Sequence, residues 1–261
     1  MAGGGIVTIL IALAAYYFFG VDPSTVMNAI DQTNSAPQTT QSQTTPSLPD
    51  DEFGAFSDTI HTSANEIWND RFRANQLTFK PSRLVLYTQG TSTGCGYGKA
   101  AMGPFYCPAD QTVYLDDGFF TLLSDKLGAN GDFAAAYVIA HEVGHHVQFL
   151  SGTTDKVQKA QARLSKADGN RLSVALELQA DCYAGIWAKR SHSKYNWLDQ
   201  GDLAEAMAAA AAVGDDKLQR EATGQVQPES FTHGTSAQRQ DWFRRGYESG
   251  EPQQCDPFYS L

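Results

Sequence analysis

This chain of 261 residues predicts an α+β fold, with strands gathered early and helices late. Two observations carry the prediction. The β-branched and aromatic runs "SRLVLYT" and "QTVYLD" fall between residues 82 and 116, and after them only helical patterns follow, with no strand–helix alternation. A content of 42% hydrophobic and 11% aromatic residues supplies a core, which excludes wholesale disorder.

Residues 1–4 form a short tail. "GIVTILIALAAYYFFGV", residues 5–21, is apolar except for Thr8 and spans roughly 25 Å as a helix, close to a ~30 Å hydrocarbon core. It reads as an uncleaved transmembrane anchor. A signal peptide would carry a basic leader and a small-x-small site after the apolar run. Here no Lys or Arg precedes the run, and the one such site, Ala12 to Ala14, lies inside it. A buried core helix is the third reading. Since Arg71 is the first basic side chain, charge does not orient the segment. Residues 22–51 form a linker whose stretch "NSAPQTTQSQTTPSLPDD" is too polar to order itself. The folded domain is expected over residues 52–261, with no internal repeat.

Within it, "DEFGAFSDTIHTSANEIWNDRF" reads as a helix with Phe53, Phe56, Ile60, Ile67 and Trp68 as its apolar positions. The two strands follow. Helices are then expected around 132–150, 171–190, 202–220 and 236–248, the third rich in the strong helix former alanine. A net charge of −10 provides no basic stripe for phosphates and argues against nucleic acid as a partner.

The cysteines are Cys95, Cys107, Cys182 and Cys255, an even number that allows three pairings. Cys95 and Cys107 flank a Gly/Pro-rich loop suited to a local bridge, which leaves Cys182 and Cys255 to tie a helix to the C-terminal tail. No C-x-x-C pair suggests a zinc ribbon. Together with the anchor and linker, the pairs point to an oxidising, extracytoplasmic location; four free buried thiols are the alternative.

Chemistry concentrates in "AAAYVIAHEVGHHVQFLSG". Phe133, Tyr137, Ala140, Gly144 and Val147 recur as one apolar stripe. His141 and His145, four residues apart, project from one face and can reach a single ion, while Glu142 points about 100° away. Zinc chemistry needs this division: neutral imidazoles as ligands, and a free carboxylate beside them to take a proton from water. Gly144 costs about 1 kcal/mol relative to alanine in mid-helix, so a close neighbour is expected there. A catalytic zinc takes a third ligand. In "RLSVALELQADCYAGIWAKR", Glu177 and Asp181 lie at i, i+4 among apolar neighbours, where carboxylates are costly unless paired. Glu177 is the expected ligand. Asp181 is expected to orient a ligand histidine. A merely solvated acidic face is the alternative.

H-E-x-x-H with a downstream E-x-x-x-D resembles the gluzincin branch of zinc peptidases. "HEVGHHVQ", "ELQADCYAGIWA", "GPFYCPADQTVYLD" and "FTHGTSAQRQDWFRRGYESG" together resemble the neutral zinc metallopeptidase family, the YpfJ-type bacterial membrane proteins. The resemblance implies a zincin-like domain and one Zn²⁺ ion but no particular substrate; a peptide or protein substrate is the expectation that the zinc-site chemistry and strand addition add. By the same analogy "YCPADQTVYLD" would supply an edge strand that holds extended substrate, an ordinary sheet strand being the alternative. His233, in a Gly/Ser/Thr loop, would donate to an oxyanion opposite the metal, with a capping role as the alternative. Arg239 would hold this loop or a substrate carboxyl. His146 points off the site, and His61 and His192 carry no pattern. Two rival functions stand beside the membrane-anchored metallopeptidase. One is a deformylase-like amide hydrolase using Cys95 as a ligand. The other is a non-catalytic zinc-containing module tethered to a membrane, which would have no use for Glu142.

Overall fold

Ile60, Ala64, Ile67 and Trp68 recur at helical spacing and are all buried on one side of α1 (Glu52–Ala74). Phe53 and Phe56 pack at the edge of the same core. The computed structural model describes residues 52–119, 123 and 131–260. The tail, the apolar segment 5–21 and the expected linker 22–51 therefore lie outside it. Among the described residues no helix is long and apolar enough to cross a membrane.

His61 ties α1 to the sheet. Its Nε2 lies 2.9 Å from Ser82 Oγ, and Asn65 Oδ1 accepts the Ser82 amide at 3.0 Å. The strands are β1 (Arg83–Tyr87), β2 (Gly90–Thr93), β3 (Gly96–Lys99), β4 (Phe105–Cys107) and β5 (Thr112–Asp116). One sheet has the order β1-β5-β4; β1 runs parallel to β5 from Arg83↔Thr112 to Tyr87↔Asp116, and β4 runs antiparallel. All of β5 is buried. This corrects part of an expectation: of "YCPADQTVYLD", Thr112–Asp116 fill the middle of the sheet, while Tyr106 and Cys107 belong to β4, which with β1 forms the two edges. The β2–β3 hairpin stands apart as its own antiparallel pair. Cys95 bonds to Cys107, fastening the hairpin turn to β4.

Among the described residues from 131 onward the α-helices are α2 (Asp132–Leu150), α3 (Thr153–Gln161), α4 (Lys166–Tyr195), α5 (Asp202–Ala212), α6 (Asp215–Thr223) and α7 (Ser236–Ser249). α2 is the hub, packed by α1, α4 and α5. It is buried almost all round, with Ala134, Ala136, Val138, Ile139 and Val143 covered as well as the expected stripe. α4 extends further at both ends than 171–190. Ser165 caps it by accepting the Asp168 amide, and Asn196 ends it in the left-handed region at φ 56°. The helix expected over 202–220 is two helices. At the break, Gly214 sits so close to the start of α7 that a Cβ there would collide with Ser236. Ser236 Oγ also donates to Ala211 O at 2.7 Å.

α4 and α7 cross at their glycines. A Cβ on Gly246 would strike the Cys182 carbonyl, and one on Gly185 would strike that of Phe243. The Cys182–Cys255 bridge, the second expected pair, closes the C-terminal tail onto α4 beside this crossing. Between α4 and α1, Trp187 is fully buried and donates to Ser63 Oγ at 3.0 Å. Burial of such a side chain contributes roughly 1.5–3 kcal/mol.

Candidate active site

α2 and α4 touch where Gly144 faces Ala180: a Cβ on Gly144 would lie 3.1 Å from the Ala180 carbonyl oxygen. That is the close neighbour the glycine predicts. The contact brings one face of each helix together. His141 Nε2 lies 3.2 Å from Glu177 Oε2, and His145 Nε2 lies 3.4 Å from Glu177 Oε1. One donor atom from each of these residues falls within 4.8 Å of the others.

Asp181, one turn along α4, faces the outer nitrogen of His141 at 2.8 Å. Its carboxylate is fully buried and also accepts from Tyr137 Oη at 2.5 Å, Arg239 Nε at 2.8 Å and Arg239 Nη2 at 2.9 Å. Arg239 reaches it from α7 and is itself buried. The expectation for Arg239 is corrected, because its guanidinium is committed to Asp181. Burial would raise the Asp181 pKa, yet Arg239 and His141 overcome that and hold it below its usual range. For His141, burial opposes the charge, but Asp181 and Glu177 raise its pKa to about 10. Burial likewise works against the charge on Glu177, and the two histidines pull its pKa well down. His145 Nδ1 faces Gln148 Oε1 at 2.8 Å, so the two histidines have different supports: a carboxylate for one, an amide for the other.

Glu142 is buried and lines the same cavity, but is not among the clustered donors. Burial raises its pKa, the two histidines lower it, and the net shift is upward. Across the cavity His233 is held at Nδ1, 3.2 Å from Asp215 Oδ1. Asp215 Oδ2 also accepts the amides of Thr232, His233 and Gly234 at 2.7, 2.6 and 3.0 Å, which pins the loop. Burial opposes charge on His233, but the Asp215 hydrogen bond together with the negative charges of Glu177 and Asp215 outweighs it, and its pKa is raised. The cavity is about 820 Å³, with Phe105, Tyr106 and Pro108 from the β4 side and Leu176 and Leu218 from the helical side.

The remaining candidates fall elsewhere. His146 is buried, with Nδ1 2.8 Å from Tyr106 Oη and Nε2 2.6 Å from the Lys80 carbonyl. His192 Nδ1 accepts the Leu198 amide at 3.3 Å. Cys95 is bridged and has no thiolate to offer. Sequence reasoning missed Tyr137, Gln148 and Asp215. Gln148 had a readable signal, its position three residues after His145 on the same helical face.

The donor set suits zinc. Two imidazole nitrogens and one carboxylate are a usual catalytic triad of ligands for that ion. Imidazoles acting as ligands are neutral. In that state the carboxylates of Asp181, Glu177 and Glu142 would face a single guanidinium, Arg239, so that a divalent cation would balance the excess that protonated His141 otherwise offsets. Over residues 1–258 the sequence matches the family described as "Putative neutral zinc metallopeptidase". The chain belongs to this family. As a neutral zinc metallopeptidase family member it is 48% identical to the protein YpfJ of Escherichia coli (strain K12) over 255 residues, covering 98% of this chain and 86% of that one. It is 45% identical to Rv2575 of Mycobacterium tuberculosis (strain ATCC 25618 / H37Rv) over 185 residues, 67% of this chain and 61% of that protein. No solved structure matches it significantly.

Proposed function

We propose that the chain is a membrane-anchored, zinc-dependent peptidase of zincin type that hydrolyses peptide bonds. The single observation that carries this is the convergence of His141, His145 and Glu177 on one point, with Glu142 on the wall of the same cavity outside the donor set. Zinc, when bound, supplies Lewis acidity that acidifies water and polarises a carbonyl. Glu142 takes the proton from the attacking water and returns it to the leaving amine nitrogen as the C–N bond breaks. His233, anchored through Nδ1 by Asp215, presents Nε2 to the oxygen that gains charge. Asp181 fixes the His141 ring so that Nε2 faces inward, and Arg239 and Tyr137 hold Asp181 still.

An extended peptide suits the cavity better than a small polar metabolite. Phe105 and Tyr106 of the edge strand β4 line it, and an open strand edge offers main-chain hydrogen bonds. Residues 5–21 serve as the anchor and 22–51 as the tether. The two disulfides support placing the domain 52–261 outside the cytoplasm. The Cys95–Cys107 bridge removes the thiolate on which a deformylase-like reading depends.

The test is Glu142→Gln. Zinc content by elemental analysis should stay at the wild-type level, while cleavage of a proteome-derived peptide library falls by a factor of about 10²–10⁴. Loss of zinc, or retained cleavage, would overturn the assignment of Glu142 as the base.

A further inference from the structure

His145 has an outer partner of an unusual kind, and what stands behind that partner fixes its orientation. An amide side chain can be turned end for end, so a glutamine facing a histidine ring does not by itself say which ring nitrogen carries the proton. Here two backbone carbonyls remove that freedom, because a carbonyl can only accept. Gln148 Nε2 donates to the Leu176 carbonyl at 2.7 Å and to Gln179 Oε1 at 3.1 Å. Gln179 in turn donates from Nε2 to the Cys255 carbonyl at 2.7 Å. Both amides are buried, so no bulk water competes for these positions. Gln148 must then show its oxygen to His145, 2.8 Å from Nδ1. That oxygen requires a proton on Nδ1, which leaves the Nε2 lone pair facing Glu177 and the cavity.

We infer that Gln148 and Gln179 form a one-way hydrogen-bond relay that sets the tautomer and angle of His145, and that the Cys182–Cys255 disulfide holds the relay's far end. Cys255 lies in the tail after α7, and its bridge to Cys182 is what keeps its carbonyl beside Gln179. Cys182 directly follows Asp181, so the residue orienting His141 and the clamp serving His145 are neighbours on one helix. The inference rests on the zinc-peptidase reading. Gln148 and Gln179 are positioning residues: they act on the metal site only through the His145 ring.

The experiment measures zinc affinity of the full chain by competition with a chromophoric chelator, for wild type, Gln148→Met, Gln179→Met and Cys255→Ala. Histidine labelled with ¹⁵N reports the imidazole Nδ1–H of His145 in the zinc-loaded form. Wild type should bind zinc and show a slowly exchanging, hydrogen-bonded Nδ1–H. Gln148→Met should weaken zinc by about 10–100-fold and lose that protected signal. Gln179→Met and Cys255→Ala should weaken it by about tenfold or less and speed exchange of the same proton. A change confined to general stability would leave both readouts of the folded protein alone. Wild-type affinity and an intact signal in Gln148→Met would overturn the inference. So would a Gln179→Met protein indistinguishable from wild type, even with Gln148→Met impaired. If Cys255→Ala does not fold, Gln179→Met still reads the same link. A wild-type protein that takes up no zinc overturns the zinc reading itself, and is seen before any variant is compared.

Discussion

Replacing Arg239 by methionine keeps most of the side chain's volume and removes its charge from beside a fully buried carboxylate. Two charge-assisted hydrogen bonds disappear, at 2.8 and 2.9 Å, each worth about 1.5–3 kcal/mol. Breaking one side of a buried ion pair costs roughly 3–5 kcal/mol in general. Tyr137 and His141 still face Asp181, so the expected loss is at the lower end, about 3 kcal/mol. For a domain of this size that corresponds to a melting temperature lower by about 6–12 °C. The assay is urea and thermal unfolding in excess chelator, so that bound metal does not mask the difference. Asp181→Asn and the double variant complete the cycle. The two sites should couple by about 2 kcal/mol, making the double variant less destabilised than the sum of its parts. A single variant melting within about 2 °C of wild type, or strictly additive costs, would refute the view that Arg239 exists to hold Asp181.

His233→Ala should lower kcat by about 10²–10³ with zinc content unchanged, and Asp215→Asn should lower it in the same direction; equal loss of zinc would place His233 with the ligands instead. Gly246→Ala should destabilise by more than about 3 kcal/mol, because the methyl meets a backbone carbonyl and not a side chain that can swing aside; a melt unchanged from wild type contradicts the α4–α7 contact. Burial, aided by His146, lowers the His61 pKa to about 4 from its usual value. The unfolded chain therefore binds the extra proton first, and stability falls as pH drops through about 6.5 toward 4. Unfolding at pH 5 should show about 2 kcal/mol less stability than at pH 8 from this group, a gap that narrows in His61→Gln; an equal gap in both proteins rules the account out.

Much of the site was legible because helical spacing is geometry. His141, His145, Glu177 and Asp181 are each one turn from a partner, so a sequence that is helical there must present them in pairs. Gly144 announced the contact with Ala180 by its own cost. Partners brought together by tertiary structure were not legible. Arg239 meets Asp181 across 58 positions of sequence, and nothing local marks the pairing. Asp215 was passed over inside what read as one Ala-rich helix, although Gly214 and the polar run Asp215, Asp216 and Lys217 mark the break that packing against Ser236 requires. The strands "GTST" and "GYGK" lack the apolar alternation that marks a half-buried strand, and they owe their pairing to register and the nearby bridge. Periodicity also saw only one stripe on α2, because alanine and valine cover its other sides.

The run from Glu177 to Cys182 on α4 behaves as a ruler with no slack. Inserting or deleting one residue inside it turns everything beyond by about 100°, which would swing Asp181 away from His141 and the sulfur of Cys182 away from the tail in one step. A connecting turn such as 196–201 has no such constraint, whereas this short rod tolerates the exchange of one side chain for another but not a change of length.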